Sequence, residues 1–141
     1  MYHFRKTHKN YRRHRKADEH KGDCPFCDTL DERIVKSTKT MNVIPNRVFY
    51  DIFEGRKVLD HLMIVPKRHI ETLKDFTDKE KVEMMTLAGE YESQGYNVYA
   101  RGVGSLTRSV KHQHTHLIKI TNERMPRMYV YIRKPYLLIH K

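Results

Sequence analysis

Three histidines alternate with polar residues in the segment His112–His116. Successive side chains of a β-strand point to opposite faces, so a strand here would place His112, His114 and His116 on one face, about 6–7 Å apart. Imidazoles are costly to bury without partners, and no carboxylate stands beside these three in the sequence. The pattern therefore predicts that they bind an anion or a metal. A surface histidine cluster of the metal-tag kind is the alternative that the pattern leaves open.

The two cysteines, Cys24 and Cys27, indicate a second kind of chemistry. Their spacing suits a zinc site or a dithiol redox pair. A thioredoxin-like motif follows a strand, whereas this one follows a polar, basic segment, so redox chemistry is the lesser alternative. Two reduced cysteines without a metal are the other. Zinc would require two further ligands for a closed tetrahedral site, and two cysteines are too few for a disulfide-stapled secreted scaffold.

Positive charge is concentrated at the N-terminus. The chain has a formal net charge of +11, and residues 1–22 carry eight lysines and arginines against two acids, a net charge of +6. This segment has too few apolar residues to form a core, so we predict a basic arm over 1–22 and a folded domain over 23–141. The arm is either a nucleic-acid or phosphate contact or a solvated tail.

Apolar patterning predicts the elements that position these residues. A capping box at Thr77 and Glu80 begins a helix that ends before Gly95. We expect its inward residues to be Val82, Met85, Leu87 and Ala88. Strands are expected at 41–53, interrupted near Pro45, and at 59–65, 96–103, 110–120, 128–132 and 136–139. The order indicates an α+β fold with a mostly antiparallel sheet, one main helix and a short N-terminal helix within 25–34.

The apolar runs are short. A run such as Tyr136–Ile139 is far below the roughly 20 residues that a membrane-spanning helix needs. No apolar stretch near the N-terminus has the form of a signal peptide. We therefore expect a soluble, cytoplasmic protein that does not bind a membrane.

Three motifs together resemble the histidine-triad (HIT) family of nucleotide hydrolases and transferases. The triad follows Ser109-Val110 and precedes Leu117-Ile118, as in the family signature. The segment Asp60–Glu71 is similar to the family strand that ends in Pro-Lys-x-His-Ile, and Cys24–Cys27 matches the zinc-containing branch. The motifs come in the family's order and spacing. The departures are polar Gln113 and Thr115 inside the triad, Arg108 and Arg101 where Gln and Asn are usual, and an unmatched segment 121–141.

The resemblance implies a reaction at the α-phosphate of a nucleotide through a nucleotidyl-histidine intermediate. In that case His114 is the nucleophile, His116 donates to a non-bridging phosphate oxygen, and Ser109 contacts the leaving group or a phosphate oxygen. The implied substrates are a nucleoside phosphoramidate, a dinucleoside polyphosphate or an adenylylated conjugate. A HIT-like domain over 23–141 would then be an enzyme.

The resemblance also implies binding residues and partners. A structural zinc ion would be bound by Cys24, Cys27, His69 and His112, whereas His61 is expected to support the active site from behind and not to bind the metal. The resemblance places Asp51 at the ribose. The residue type alone, and not the resemblance, predicts Arg108 as a phosphate clamp, with a solvent-facing side chain as the alternative. Arg101 is also expected to bind substrate. A homodimer is expected because it is common in the family. The alternative function is a zinc-stabilised nucleic-acid-binding module that uses the basic arm.

Overall fold

The computed structural model describes residues 24–27, 33–48, 50–124, 128–130 and 137–139. The predicted basic arm over 1–22 lies outside the described residues. So do residues 28–32 of the predicted N-terminal helix, which stays a prediction. The described residues Cys24–Cys27 form a turn in which the Cys27 N–H donates to the Cys24 carbonyl over 3.2 Å.

Six strands form one sheet in which every pairing is antiparallel. The strands are β1 (Lys36–Ser37), β2 (Met41–Pro45), β3 (Ile52–Phe53), β4 (Arg56–Pro66), β5 (Tyr96–Ala100) and β6 (Thr115–Arg124). Their order is β1-β2-β4-β6-β5, and β3 pairs with β4. Two further strands, β7 (Met128–Val130) and β8 (Leu137–Ile139), pair antiparallel as a separate hairpin. The predicted α+β architecture is confirmed.

Among the described residues there is one α-helix, α1 (Asp78–Ser93), which has the predicted bounds and follows a short 3-10 helix, Leu73–Asp75. Both hydrogen bonds of the capping box between Thr77 and Glu80 are present, and the chain leaves the helix through Gly95 at φ +86°. Residues other than glycine rarely adopt that backbone conformation. No helix among the described residues is long and apolar enough to cross a membrane.

The buried face of α1 differs in part from the prediction. Leu87 and Ala88 are buried as expected, but Val82 and Met85 are 66% and 70% exposed. The buried stripe is instead Glu80, Met84, Leu87, Ala88 and Tyr91. Its first member explains the difference. The carboxylate of Glu80 is held inward by Thr77 and by Arg68, which fixes the rotation of the helix from its first turn.

The core lies on both faces of the sheet. Leu62 and Ile64 of β4 pack with Leu117 of β6 against Leu87 of α1. Burial of one such aliphatic side chain stabilises the fold by about 1.5–3 kcal/mol. The alternate residue of β4, Met63, belongs to a smaller cluster on the opposite face. This double burial explains why the second half of β4, from Leu62 to Val65, is a continuous apolar run rather than an alternating one.

The predicted strand over 110–120 begins later than expected, at Thr115. His112 and His114 therefore lie in the loop that leads from β5 into β6, and only His116 lies in the strand. The carbonyls of Val110 and Lys111 accept hydrogen bonds from the side chain of Arg108. These side-chain bonds take the place of a strand ladder before Thr115.

Candidate functional site

Two cysteines and two histidines from three separate segments converge. The Sγ of Cys24 lies 3.3 Å from Nδ1 of His112, and the Sγ of Cys27 lies 3.3 Å from Nδ1 of His69 and 3.5 Å from Nδ1 of His112. All four potential ligand atoms lie within 4.8 Å of one another. Cys24 and His112 are buried, whereas Cys27 and His69 are exposed. These four residues are close enough together to hold one metal ion.

A backbone carbonyl orients the ring of His112 so that its other nitrogen can bind a metal. Its Nε2 lies 2.9 Å from the carbonyl oxygen of Pro66 at the end of β4, so Nε2 carries the proton and donates it. The lone pair is then on Nδ1, which faces both thiols. Burial lowers the pKa of His112, which keeps the ring neutral. Metal-binding histidines are commonly oriented in this way by a carbonyl on the second nitrogen.

The spacing of the four donors fits a tetrahedral ion. Zn–S bonds of about 2.3 Å and Zn–N bonds of about 2.05 Å at tetrahedral angles place a sulfur and a nitrogen about 3.6 Å apart. Three of the four sulfur–nitrogen distances in the structure are 3.3, 3.3 and 3.5 Å, and the fourth is within 4.8 Å. Two thiols and two imidazoles are also a donor set that zinc commonly takes.

His114 lies next to this cluster with one nitrogen fixed. Its Nδ1 donates to the carbonyl of His112 over 2.9 Å, which leaves the lone pair on Nε2. Burial is the main cause that lowers the pKa of His114, and the charges of Arg108 and Arg101 lower it further. The ring is therefore neutral at pH 7. Phe26, which stands between the two cysteines, contacts it edge-on with the ring centroids 5.1 Å apart.

His116 is held through Nδ1, whereas His112 is held through Nε2. The backbone N–H of Tyr50 donates to Nδ1 of His61 over 3.1 Å, so the proton of His61 is on Nε2. This Nε2 donates to Nδ1 of His116 over 2.9 Å, which leaves the proton of His116 on Nε2. Burial is the main cause that lowers the pKa of His116 to about 2, and the neighbouring His61, His114 and Arg101 lower it further. The structure thus offers a neutral N–H donor at this position.

Tyr50 and Arg101 complete the surroundings of His116. Nη2 of Arg101 donates to the Tyr50 hydroxyl over 2.8 Å, and that hydroxyl lies 3.5 Å from Nε2 of His116. The ring of Tyr99 stacks on His116 at an interplanar angle of 27°. The sequence analysis missed Tyr50, whose only signal was its position beside Asp51 in an apolar stretch. It also missed Phe26, whose signal was its place within the Cys-x-x-Cys turn.

The other predicted substrate-binding residues have different surroundings. Ser109 is exposed, in the loop before the triad. Asp51 is half-buried directly after Tyr50, and its carbonyl accepts from the Val58 N–H over 2.9 Å. The guanidinium of Arg108 is engaged with the carbonyls of its own and a neighbouring loop.

The family profile described as HIT domain matches residues 46–122, more than half of the chain. The protein belongs to the HIT domain family. The match includes the triad, His61, His69 and Tyr50, whereas the two cysteines lie before it.

Solved HIT proteins share the fold. A hypothetical histidine triad nucleotide-binding protein from Sulfolobus tokodaii is 18% identical with a TM-score of 0.55, covering 84% of this chain and 82% of its own. A HIT family hydrolase from Clostridium thermocellum is 16% identical with a TM-score of 0.52, covering 72% and 94%. One from Legionella pneumophila is 20% identical with a TM-score of 0.50, covering 73% and 96%. A search of curated proteins finds no match.

Proposed function

We propose that this HIT protein is a nucleotide hydrolase or nucleotidyl transferase that acts at an α-phosphate through His114. The observation that carries the proposal is the fixed tautomer of His114, whose Nδ1 is bound to the His112 carbonyl. Because the ring is neutral, Nε2 holds a free electron pair. Nε2 attacks the α-phosphorus, a P–N bond forms, and the bond to the leaving group breaks. Water then attacks the same phosphorus, the P–N bond breaks and a proton of the water is released to solvent, so that the nucleoside monophosphate leaves and His114 is restored. Another acceptor in place of water gives transfer.

His116 would stabilise the charge that develops on the phosphate. Its proton is on Nε2, because Nδ1 accepts from His61. A buried N–H donor that is already oriented is more effective than one in water, since nothing has to reorganise during the reaction. We assign this N–H to a non-bridging oxygen of the α-phosphate.

Other residues would bind the rest of the substrate. Arg101, held by Tyr50 beside His116, supplies a positive charge at the phosphate. Ser109 would donate to the leaving group or a phosphate oxygen, and Asp51 would accept from the ribose hydroxyls. A substrate role of Arg108 stays a prediction.

We also propose that the four-residue cluster binds zinc. Cys24, Cys27, His69 and His112 would hold the ion, and its contribution is a structural cross-link. It would join the N-terminal turn to the loops that follow β4 and precede β6. This assigns His112 to the metal and leaves His114 and His116 for the nucleotide.

The reaction is tested by product analysis and by trapping. The full chain is incubated with an adenosine phosphoramidate, a diadenosine polyphosphate and an adenylylated lysine, and release of AMP is followed by chromatography. Acid-labile adenylylation of the peptide that contains His114 is sought by mass spectrometry after rapid quenching. The proposal predicts AMP from at least one substrate and an adduct on His114; turnover with an adduct on another residue would overturn the assignment.

The role of Ser109 has a matched control in the same loop. Ser109→Ala is expected to lower turnover about 10²-fold, because one charge-stabilising donor is lost. The hydroxyl of Ser105 lies 2.9 Å from that of Thr107 and is assigned no part in the reaction, so Ser105→Ala should leave turnover within about twofold. Equal effects of the two changes would remove Ser109 from the site.

The alternative function is a zinc-stabilised module that binds nucleic acid through the basic arm over 1–22. The net charge of +6 on that arm favours it, since phosphate contacts by lysine and arginine release counterions. Deletion of 1–22 should flatten the salt dependence of nucleic-acid binding and leave turnover of a small nucleotide unchanged. Homodimer formation and a cytoplasmic location also stay predictions.

A further inference from the structure

The guanidinium of Arg108 connects two loops of the chain. Its Nε lies 3.2 Å from the carbonyl oxygen of Val110, and its Nη2 lies 2.5 Å from those of Lys111 and Glu71. Nη2 is also 3.2 Å from Oε1 of Gln113. Arg108 is half-buried at this point. One side chain therefore bonds both to its own loop and to the loop that follows β4.

The two loops that Arg108 connects each carry one imidazole of the four-residue cluster. Lys111 directly precedes His112, and Glu71 lies two residues after His69. A second bond joins the same loops, because the Gln113 N–H donates to the carbonyl of Ile70 over 2.6 Å. Neither bond is part of the pairing between strands. Contacts between the two loops, those of Arg108 among them, therefore help to set the separation of His69 and His112.

We propose that Arg108 is a positioning residue of the metal centre, which holds the loops of His69 and His112 at the separation that one ion needs. This inference rests on the metal site proposed above. An arginine suits the role because its planar guanidinium presents five donors in a fixed arrangement and serves several carbonyls at once. The compact ammonium of a lysine cannot reach acceptors in the same directions.

A phosphate clamp at Arg108 makes the opposite predictions. A clamp acts through its charge on the substrate, so a lysine would keep part of its effect and metal binding would not change. A positioning role acts through bonds to the carbonyls of Glu71 and Lys111, so a lysine would not restore it. Substitution of a residue that orients metal ligands from outside the coordination shell commonly weakens metal binding by about 10–100-fold.

The test is metal affinity of the full chain, without any turnover measurement. Metal-free protein is titrated with Co²⁺, whose thiolate charge-transfer and d–d absorption report tetrahedral binding, and Zn²⁺ affinity follows by competition. The variants are Arg108→Lys and Arg108→Gln, and the control is Lys111→Gln, which removes a charge from an exposed neighbouring side chain. We expect both Arg108 variants to bind about 10–100-fold more weakly and the control to bind within about twofold of the unchanged chain.

The outcomes separate the two proposals. If the unchanged chain binds Co²⁺ and Arg108→Lys binds it equally well, the positioning role is overturned and the metal site stands. If the unchanged chain shows no tetrahedral Co²⁺ spectrum, the metal site falls and the role of Arg108 falls with it. Arg108→Lys keeps the charge and the aliphatic stem, so it provides the comparison if Arg108→Gln does not fold, as judged by circular dichroism.

Discussion

His112 and His116 are four residues apart in the chain, and both carry the ring proton on Nε2. They differ in which ring nitrogen is held by a neighbouring residue. His112 donates from Nε2 to the Pro66 carbonyl and turns Nδ1 toward the two thiols. His116 accepts at Nδ1 from His61 and keeps its proton on Nε2. The first is a lone-pair donor suited to a metal, and the second is a hydrogen-bond donor suited to an oxyanion. Histidine is thus suited to metal binding at position 112 and to hydrogen-bond donation at position 116, because a neighbouring residue holds Nε2 in the first ring and Nδ1 in the second.

The two regions also differ in how they are built. The four-residue cluster is assembled from a turn and two loops, and two of its four residues are exposed. The His116 region stands on the central strands, where Met63 of β4 is paired with His116 of β6 and both are buried. His114 lies between them and takes its orientation from the carbonyl of His112. The difference indicates that the two regions can be damaged separately.

The largest expected effect comes from His114→Ala. Loss of the attacking nitrogen should lower turnover by about 10³-fold or more, as for other covalent nucleophiles. Bound zinc should stay unchanged, because the proposed ligands are elsewhere. Single-turnover kinetics with the best substrate, together with elemental analysis, check both statements. Undiminished turnover would exclude chemistry centred on His114 and favour the binding module.

The next effect concerns the metal side. Cys24→Ser removes a buried ligand, so we expect loss of stoichiometric zinc and a Tm lower by about 5 °C or more. Calorimetry and metal analysis of the same samples provide the measurement. A zinc-containing Cys24→Ser with an unchanged Tm would mean that the four residues do not form the site.

A smaller effect is expected on the His116 side, with the metal left intact. His61→Leu removes the donor that fixes Nδ1 of His116 and should lower turnover by about 10–100-fold. Met63→Leu changes a buried neighbour on the same face of β4 and is the matched control, expected within about threefold. Loss of zinc in His61→Leu would show that the two regions are not separable.

The smallest effect concerns the anchor of the loop that carries His69. Arg68, next to His69, binds the carboxylate of Glu80, and this contact is the main cause that lowers the pKa of Glu80 to about 2. A lowered pKa stabilises the fold above the unfolded value, near 4.5, and this contribution is lost as the pH falls toward 2. Glu80→Gln should therefore be less stable by about 1–2 kcal/mol at pH 6, and the difference should shrink as the pH falls from about 5 through 2. Urea unfolding at several pH values measures it, and a difference that does not depend on pH would contradict the assignment.

Much of the fold could be predicted from local signals. The capping box at Thr77 and Glu80 gave the start of α1, and the apolar run before Pro66 gave the end of β4. The rotation of α1 could not be predicted, because the inward turn of Glu80 depends on Arg68, twelve residues away. The start of β6 was missed for a similar reason, since the carbonyls before Thr115 are bound by the side chain of Arg108.

The candidate site could be predicted in composition and not in detail. The Cys-x-x-Cys spacing named two residues and the resemblance to the HIT family named His69 and His112, and the structure brings the ligand atoms of all four within 4.8 Å of one another. The contact of Tyr50 with Arg101 and His116 joins three distant parts of the chain, and no sequence spacing encodes it. Nor does spacing encode which nitrogen of a histidine carries the proton, since that follows from partners such as the Pro66 carbonyl and His61.

The most direct test of this division of roles is the tautomer of each triad histidine. Long-range ¹H–¹⁵N correlation NMR of the ¹⁵N-labelled chain at pH 7.5 distinguishes protonated from unprotonated ring nitrogens, with His112→Gln, His114→Ala and His116→Gln for assignment. We predict a neutral ring with its proton on Nε2 for His112 and His116, and one with its proton on Nδ1 for His114. Zinc should shift the Nδ1 signal of His112 far more than either signal of His116. A proton on Nε2 of His114, or a zinc-dependent shift centred on His116, would contradict the account.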